Sequence, residues 1–155
     1  MHGGAASNKT NAEKAIRKNL IDANVIDCII ALPTQLFYNT TLPVHIWILN
    51  RNKPKTQTDI LMIDAYDLGE MVESTLRELT KPDISKISET YHTWLSDSNF
   101  KNEIGFSQST SIQAIEEKGN ILAPNRYVPK KKKTRSIPYE KAIENNLEKS
   151  IDEIN

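Results

Sequence analysis

The segment from Val25 to Asn50 holds the side chains whose types and spacing best suit chemistry. Two apolar runs, bounded by Pro33 and Pro43, predict buried strands of an α/β sheet, and the short loop between them predicts that the two strands pair antiparallel. The loop between them carries an aromatic pair beside small polar residues, namely Phe37, Tyr38, Asn39 and Thr40. Because such folds bind ligands in loops at strand ends, Pro33 and these four residues form a candidate binding site. The alternative is a tight connection in which both aromatic rings are simply buried.

The same segment belongs to an ordered series of short motifs that extends from Ser7 to about Val128. The motifs are Ser7-Asn8, Asn11–Arg17, Ala31-Leu32-Pro33, Leu36–Thr40, Ile63-Asp64-Ala65, Leu68–Met71, Thr90–Trp94, Gly105-Phe106-Ser107 and Leu122–Val128. Through them the chain resembles the modification (M) subunit of type I restriction-modification systems, an adenine-N6 DNA methyltransferase. One motif alone would be a weak signal, whereas the ordered set is specific.

The resemblance implies both a fold and a function. The fold would be α/β, the C-terminal part of a Rossmann-like methyltransferase sheet with Val25–Leu32 and Pro43–Leu49 as the last two of seven strands. The function would be site-specific methylation of adenine in DNA with S-adenosylmethionine, together with a specificity subunit and a restriction subunit. The loop would form one wall of the pocket for a flipped adenine, because Phe37 or Tyr38 can stack on an extruded base and Asn39 or Thr40 can meet its polar edge.

Two motifs of the resembled family are absent from this chain. The family needs a Gly-rich turn where the backbone approaches S-adenosylmethionine, and none of the five glycines here form G-x-G. It also needs an Asn-Pro-Pro-aromatic tetrapeptide for the adenine amine, and no Pro-Pro pair occurs. We therefore expect no catalytic residue, no bound cofactor and no methylation by this chain alone. Met1–Gly4 lies where the family would still be completing an earlier strand, which suggests an interrupted reading frame or a trimmed chain.

A basic segment follows a mildly acidic body. Residues 1–125 hold 12 basic and 15 acidic side chains, whereas residues 126–137 hold six basic ones and no acid. The six are Arg126, Lys130, Lys131, Lys132, Lys133 and Arg135. They could follow DNA phosphates, which gives affinity and salt dependence but no sequence readout. The alternative, slightly favoured by the sequence, is a solvated linker, because runs of like charge are usually disordered.

The chain divides by pattern into three parts. Residues 1–128 form the body, residues 129–138 a basic linker, and residues 139–155 an amphipathic helix. The apolar stripe of that helix consists of Ala142, Ile143, Leu147, Ile151 and Ile154. In the resembled family, helices at this end pack on the specificity subunit, so the stripe is a candidate docking surface. The alternative is that the helix folds back on its own body.

Other function classes find little support in the 155 residues. No apolar run approaches the ~20 residues of a membrane span. The polar N-terminus and the single Cys28, inside a predicted strand, favour a reducing cytoplasm. The three histidines are far apart and predict no metal site. Tyr91, His92 and Trp94 are interpreted as structural, because a catalytic histidine would need a partner and none is evident.

The secondary-structure pattern predicts elements that position these residues. A capping box at Thr10 and Glu13 opens a helix to about Ala23, and Pro82 lies in the first turn of a helix that begins at Thr80. The predicted core face of the first helix is Ala15, Ile16, Leu20 and Val25, and that of the second is Ile84, Ile87, Tyr91, Trp94 and Leu95. The remaining predictions are a solvated turn at Asn50–Thr58, strands at Asp59–Ala65 and Ile104–Ser107, a helix from Thr110 to Gly119 and an extended segment at Leu122–Val128.

The predicted strand Pro43–Leu49 also carries a stability prediction. In the family fold the last strand inserts beside an earlier strand that this chain lacks, which leaves an apolar edge open. We therefore expect marginal stability or self-association of the isolated chain.

Two rival hypotheses about function remain open. One is a non-enzymatic module that docks on a specificity subunit, and the other is a gene remnant with no role.

Overall fold

The computed structural model of the chain describes residues 3–8, 10–39, 41–97 and 99–131. These residues form a mixed α/β fold. The helices are α1 (Gly3–Ser7), α2 (Asn11–Asp22), α3 (Lys81–Ser96), α4 (Ile112–Glu117) and a 3₁₀ turn at Pro124–Arg126. The strands are β1 (Ile26–Ala31), β2 (His45–Leu49), β3 (Ile60–Asp64), β4 (Glu70–Met71), β5 (Arg77–Glu78) and β6 (Ser107–Thr110).

Four of the strands form one sheet in the order β2-β1-β3-β6. The predicted antiparallel pairing of β1 with β2 is confirmed, and β1 pairs in parallel with β3. Strand β6 closes the other side of the sheet antiparallel to β3, while β4 and β5 form a separate small hairpin. All six residues of β1 are buried, as expected for an apolar strand with a neighbour on each side.

Apolar clusters cover both faces of the sheet. On one face α2, α4 and the 3₁₀ turn pack over the strands, and on the other face α3 does so. The first cluster consists of Ile21, Ile26, Ile29, Ile60, Met62, Ile115, Leu122 and Val128. The second consists of Cys28, Ile30, Leu32, Leu61, Ile63, Ala65, Trp94 and Phe106. Because a fully buried isoleucine or leucine contributes about 1.5–3 kcal/mol, these two clusters supply the main driving force for folding.

The buried face of α2 differs from the prediction. Arg17 and Ile21 are the buried residues of this helix, whereas Ala15 and Ile16 are exposed and Leu20 is partly buried. The helix is turned so that a charged residue faces inward. The amphipathic pattern missed this face because it assigns every arginine to solvent.

Helix α3 begins where the sequence predicts. The Thr80 hydroxyl accepts a hydrogen bond from Asp83 N, and Asp83 Oδ2 accepts one from Thr80 N at 2.9 Å, which completes a capping box. Trp94 is buried and Tyr91 is partly buried against the second cluster, as predicted. Ile84 and Leu95, the outer positions of the predicted stripe, are instead 55% and 41% exposed, so the stripe is narrower than the sequence suggests.

Three shorter elements depart from the sequence prediction. The strand expected at Ile104–Ser107 lies at Ser107–Thr110, because Gly105 has φ +79° and the chain turns there first. The helix expected from Thr110 to Gly119 spans only Ile112–Glu117. Its cap is Ser111, whose hydroxyl accepts a hydrogen bond from Ala114 N at 3.3 Å. The segment expected to be extended contains the 3₁₀ turn at Pro124–Arg126, since proline fits the first position of a helical turn.

Strand β2 lies at the edge of the four-stranded sheet. Its Ile46 and Leu49 side chains are 46% and 53% exposed, so β2 is half-buried rather than buried as predicted. Apolar side chains on an edge strand favour pairing with another chain. In the described part of the chain, no helix combines the length and apolar character needed to cross a bilayer.

Candidate nucleic-acid interface

The carboxyl ends of the two parallel strands meet at one edge of the sheet. Ala31, the last residue of β1, pairs with Asp64, the last residue of β3, and Ala65 N donates to Ala31 O at 2.9 Å. The loop after β1 and the turn after β3 therefore start side by side. This edge is where open α/β sheets bind their ligands.

The loop after β1 presents its aromatic rings to solvent. Pro33 is fully buried and Leu36 packs partly buried against the second apolar cluster, which anchors the start of the loop. Phe37 is 46% exposed and Tyr38 is 79% exposed, and Asn39 is exposed as well. The alternative that both rings are buried in the core is therefore wrong. Of the predicted site residues in this loop, Thr40 lies outside the described residues.

The last residue of β3 and the turn after it add two side chains, Asp64 and Tyr66, that the sequence did not indicate as site residues. Burial raises the pKa of Asp64, while the Tyr66 backbone N–H and the positive charge of Lys130 partly offset that rise. Tyr66 N donates to Asp64 Oδ1 at 3.3 Å, and the Tyr66 ring is 51% exposed. The sequence places Asp64 inside a predicted strand and Tyr66 just after it, but it does not show that this strand lies parallel beside β1.

The start of the basic segment packs on the body of the fold. Gly105 N donates to Pro129 O at 2.8 Å, and the stem of Lys131 lies over Gly105. Lys130 is exposed, and its positive charge lowers the pKa of Asp64 against the larger rise that burial causes. The first residues of the predicted linker are thus held rather than free.

Of the other basic candidates, one is described and three lie outside the described residues. Arg126 is exposed at the end of the 3₁₀ turn, and its carbonyl accepts from Lys118 Nζ at 2.6 Å. The candidates outside the described residues are Lys132, Lys133 and Arg135 of the basic segment. The docking stripe Ala142, Ile143, Leu147, Ile151 and Ile154 also lies outside them.

The aromatic cluster of α3 has structural contacts. Trp94 Nε1 donates to Ser109 Oγ at 3.0 Å, and Tyr91 OH donates to Asp27 Oδ2 at 3.3 Å. His92 is exposed and lies off the core face, as predicted. Within the described ranges, no group of three or more His, Cys, Asp or Glu side chains could hold a metal ion.

A buried lysine is the main feature of the core that sequence reasoning missed. Lys53 lies in the segment predicted to be a solvated turn, yet it is 7% exposed. Its ammonium donates to Ile26 O at 2.5 Å and to Asp59 O at 2.7 Å, and it lies 3.9 Å from Asp27 Oδ1. Burial lowers the pKa of Lys53, and Asp27 and Asp59 oppose that shift. Because these contacts connect the start of β1 to the start of β3, the ion pair of Lys53 with Asp27 has a structural role.

The described residues do not fit S-adenosylmethionine. The cofactor turn of α/β methyltransferases lies between the end of a strand and the start of a helix. The three described glycines at positive φ are Gly69, between β3 and β4, Gly105, before β6, and Gly119, after α4. None of these lies between a strand and a following helix, so no methyl-transfer step can be assigned to them.

Comparison with known proteins places this geometry in a family. Residues 1–136 match the family model described as N-6 DNA methylase. The chain is 38% identical over 143 residues to the methylase subunit of the type I restriction enzyme HindI from Haemophilus influenzae, covering 92% of this chain and 32% of that protein. It is 35% identical over 159 residues to the MjaIX methylase subunit from Methanocaldococcus jannaschii, covering 99% of this chain and 28% of that protein.

Solved structures show the same fold. The type I methyltransferase subunit from Streptococcus thermophilus superposes with a TM-score of 0.71 at 29% identity, covering 83% of this chain and 25% of that one. A chain from a study of complex assembly in a type I restriction-modification system superposes with a TM-score of 0.62, at 13% identity, over 99% of this chain and 32% of that one. The chain thus spans about a third or less of the length of the relatives it matches.

Proposed function

Because the chain belongs to the N-6 DNA methylase family, we propose that it is the C-terminal segment of a type I adenine-N6 DNA methyltransferase subunit. In that role it supplies one wall of the pocket for the flipped adenine and a surface for other subunits. The complete enzyme methylates adenine in DNA with S-adenosylmethionine, which another part of the protein holds. The observation that carries the proposal is the exposure of Phe37 and Tyr38 at the carboxyl edge of parallel strands.

The chemistry of this edge suits an extruded base. Tyr38, which is 79% exposed, offers an aromatic face for stacking, and Asn39 offers amide groups to the polar edge of the base. Pro33 is buried and Leu36 packs on the second apolar cluster, so the start of the loop is anchored in the core just before the two aromatic residues. Thr40 completes the proposed site.

The basic segment contributes phosphate contacts in this proposal. The positive charge of Lys130 acts on Asp64, the last residue of β3, and Lys131 and Arg126 are exposed nearby in sequence. Such contacts hold DNA without reading its sequence. The remaining cations of the segment, Lys132, Lys133 and Arg135, extend the same charge along the chain.

The proposal assigns residues 1–128 to the methyltransferase domain, residues 129–138 to a basic linker and residues 139–155 to a helix that docks on the specificity subunit. A restriction subunit would join the same complex, in the cytoplasm. The chain alone is proposed to be inactive. Cys28 is not a rival nucleophile, because it is buried and burial raises the pKa of its thiol.

A chimeric subunit tests the proposal. This chain replaces the matched segment of the Haemophilus influenzae relative, and the chimera is combined with that relative's own partner subunits. We expect labelled methyl groups to be transferred from S-adenosylmethionine to adenine by the chimera and none by the 155-residue chain alone. Replacing both Phe37 and Tyr38 by alanine should abolish most of the chimera's activity, while the exposed pair Ile84→Ala and Leu95→Ala serves as the control. Full activity of the Phe37/Tyr38 double variant would overturn the proposed site.

The second candidate is a non-enzymatic module that docks on a specificity subunit. The apolar stripe that ends the sequence favours it, because such a stripe can bind a partner without any catalytic residue. Capture of a purified specificity subunit by the chain, together with an inactive chimera that binds DNA normally, would support this candidate over the first.

A further inference from the structure

The hairpin of β4 and β5 contacts the loop that carries Phe37 and Tyr38. Arg77 N, in β5, donates to the carbonyl of Gln35 at 2.8 Å. Gln35 comes two residues before Phe37 and has φ +63°, a left-handed conformation that non-glycine residues rarely adopt. The hydrogen bond therefore fixes the chain direction at the point where the loop turns toward its exposed rings.

The side chain of Arg77 holds the hairpin closed. Its Nη1 donates to Leu68 O at 3.0 Å and to Gly69 O at 3.1 Å. These two carbonyls lie just before β4, so one guanidinium nitrogen links β5 to the chain that enters β4 at the open end of the hairpin. The same residue thus contacts the loop through its main chain and the hairpin through its side chain.

Gly69 allows the close approach that this arrangement requires. It has φ +79°, and a Cβ atom at this position would lie 2.7 Å from the backbone oxygen of Glu78. Any other residue would push β5 away and shift Arg77 with it. Gly69 N also donates to Asp83 Oδ2 at 3.1 Å, which connects the hairpin to the capped start of α3.

We propose that Arg77 is a positioning residue that holds the Pro33–Asn39 loop in its base-binding conformation. The hairpin around it, with Gly69 and Asp83, is the brace through which α3 supports the loop. This inference rests on the proposed function, because it gives the brace a purpose only if the loop binds a base. It also gives a physical role to Leu68–Met71, one of the motifs through which the chain resembles its family.

A solution experiment on the full chain tests the contact itself. Amide exchange of residue 77 and ¹⁵N order parameters of Phe37 and Tyr38 are measured for the wild type, Arg77→Met and Arg77→Lys. Loss of the charge-assisted bonds should speed exchange at residue 77 by roughly tenfold and loosen both aromatic residues. The lysine variant, which keeps one cationic donor, should fall between the other two. The Cys28 and Ile63 amides in the core strands are the control for global stability and should be unchanged.

A kinetic experiment on the chimera separates positioning from a merely structural role. If Arg77 positions the loop, Arg77→Met should lower kcat by about tenfold or more while KM for DNA changes less than twofold, because misplacement of the base site affects the bound complex. Arg77→Lys should restore part of kcat. Gly69→Ala, which disturbs the same brace from its other side, should lower kcat in the same way.

The outcomes distinguish the two proposals. If the Phe37/Tyr38 double variant is inactive but Arg77→Met and Gly69→Ala retain full kcat, the brace is wrong and the proposed function stands. If the double variant is fully active, the proposed base site itself fails. Equal loosening of the core amides and the loop in Arg77→Met would also overturn the inference, since it would reduce Arg77 to a contributor to overall stability.

Discussion

Lys53 Nζ lies 3.9 Å from Asp27 Oδ1, and only 1% of either side chain is exposed. Two charges removed from water in this way depend on each other, because a single buried charge without its partner is strongly destabilising. Tyr91 OH adds a hydrogen bond to the second carboxylate oxygen of Asp27. The pair therefore links the turn before β3 to the start of β1 and to α3.

Removal of the cation alone should destabilise the fold. Lys53→Met leaves the Asp27 carboxylate buried without its cation and also frees the carbonyls of Ile26 and Asp59, so we expect a loss of about 3–5 kcal/mol in the free energy of unfolding. Urea denaturation of the full chain measures it. The matched control is Lys55→Met, an exposed lysine two residues away, which should change stability by no more than about 0.5 kcal/mol. Similar effects of both substitutions would show that Lys53 is not buried in solution.

Substitution of Arg17 by lysine should also destabilise the fold, although the positive charge is kept. Its Nε, Nη1 and Nη2 atoms donate to the carbonyls of Asn120, Ala5 and Asn8 at 2.9, 2.9 and 2.7 Å. Arg17→Lys removes the fork that reaches all three oxygens, so we expect a loss of about 2–4 kcal/mol in urea denaturation. Lys18→Met, which breaks an exposed pair with Asp22, is the control and should leave the urea denaturation curve unchanged. If Arg17→Lys leaves the free energy of unfolding unchanged, the three hydrogen bonds of the Arg17 guanidinium do not stabilise the fold in solution.

Apolar runs and the cap of α3 were the reliable part of the sequence prediction, whereas the capping box predicted at Thr10 is wrong, because Thr10 makes no side-chain cap hydrogen bond. The runs around β1 and β3 had no competing interpretation, and the Thr80 and Asp83 pair is a local signal for a helix start. The buried cations Arg17 and Lys53 were missed because their partners are distant: Asn120 O is 103 residues from Arg17, and Ile26 O is 27 residues from Lys53. Such contacts depend on tertiary packing, which no local pattern contains.

The candidate site was likewise predicted where its signals are local and missed where they depend on tertiary packing. The loop at Phe37 could be located from its own residues and from its place after a strand. Asp64 and Tyr66 could not be added to it, because the sequence does not reveal that β3 lies parallel beside β1. Neither could the hydrogen bond from Arg77 N to Gln35 O, which joins a loop and a hairpin about forty residues apart.

The exposed edge of β2 should make the isolated chain self-associate. Ile46 and Leu49 leave about half of their side-chain surface in solvent on an edge strand, so a second copy can pair there. Ile46→Lys combined with Leu49→Lys should shift the protein toward monomer in sedimentation velocity runs across a concentration series. Ile84→Lys, a similarly exposed position on α3, should leave the association unchanged. A wild-type chain that stays monomeric and unfolds sharply and reversibly would contradict this prediction.

The cap of α3 should give the chain a component of stability that disappears in acid. Hydrogen bonds from the Thr80 side chain and backbone hold the pKa of Asp83 below its ordinary value of 3.8. A carboxyl with a lowered folded pKa stabilises the native state above its unfolded pKa, and this contribution is lost as the pH falls through the folded pKa. Asp83→Asn should therefore lower Tm by roughly 3–5 °C near pH 6, and the difference from the wild type should shrink below pH 3.8. Thermal unfolding followed by circular dichroism between pH 2 and pH 7 measures the difference in Tm between Asp83→Asn and the wild type.

The control for this experiment is Glu89→Gln, on the exposed middle of the same helix, which is measured at pH 6. If the difference in Tm between Asp83→Asn and the wild type stays constant down to pH 2, the carboxylate charge of Asp83 contributes nothing to the cap.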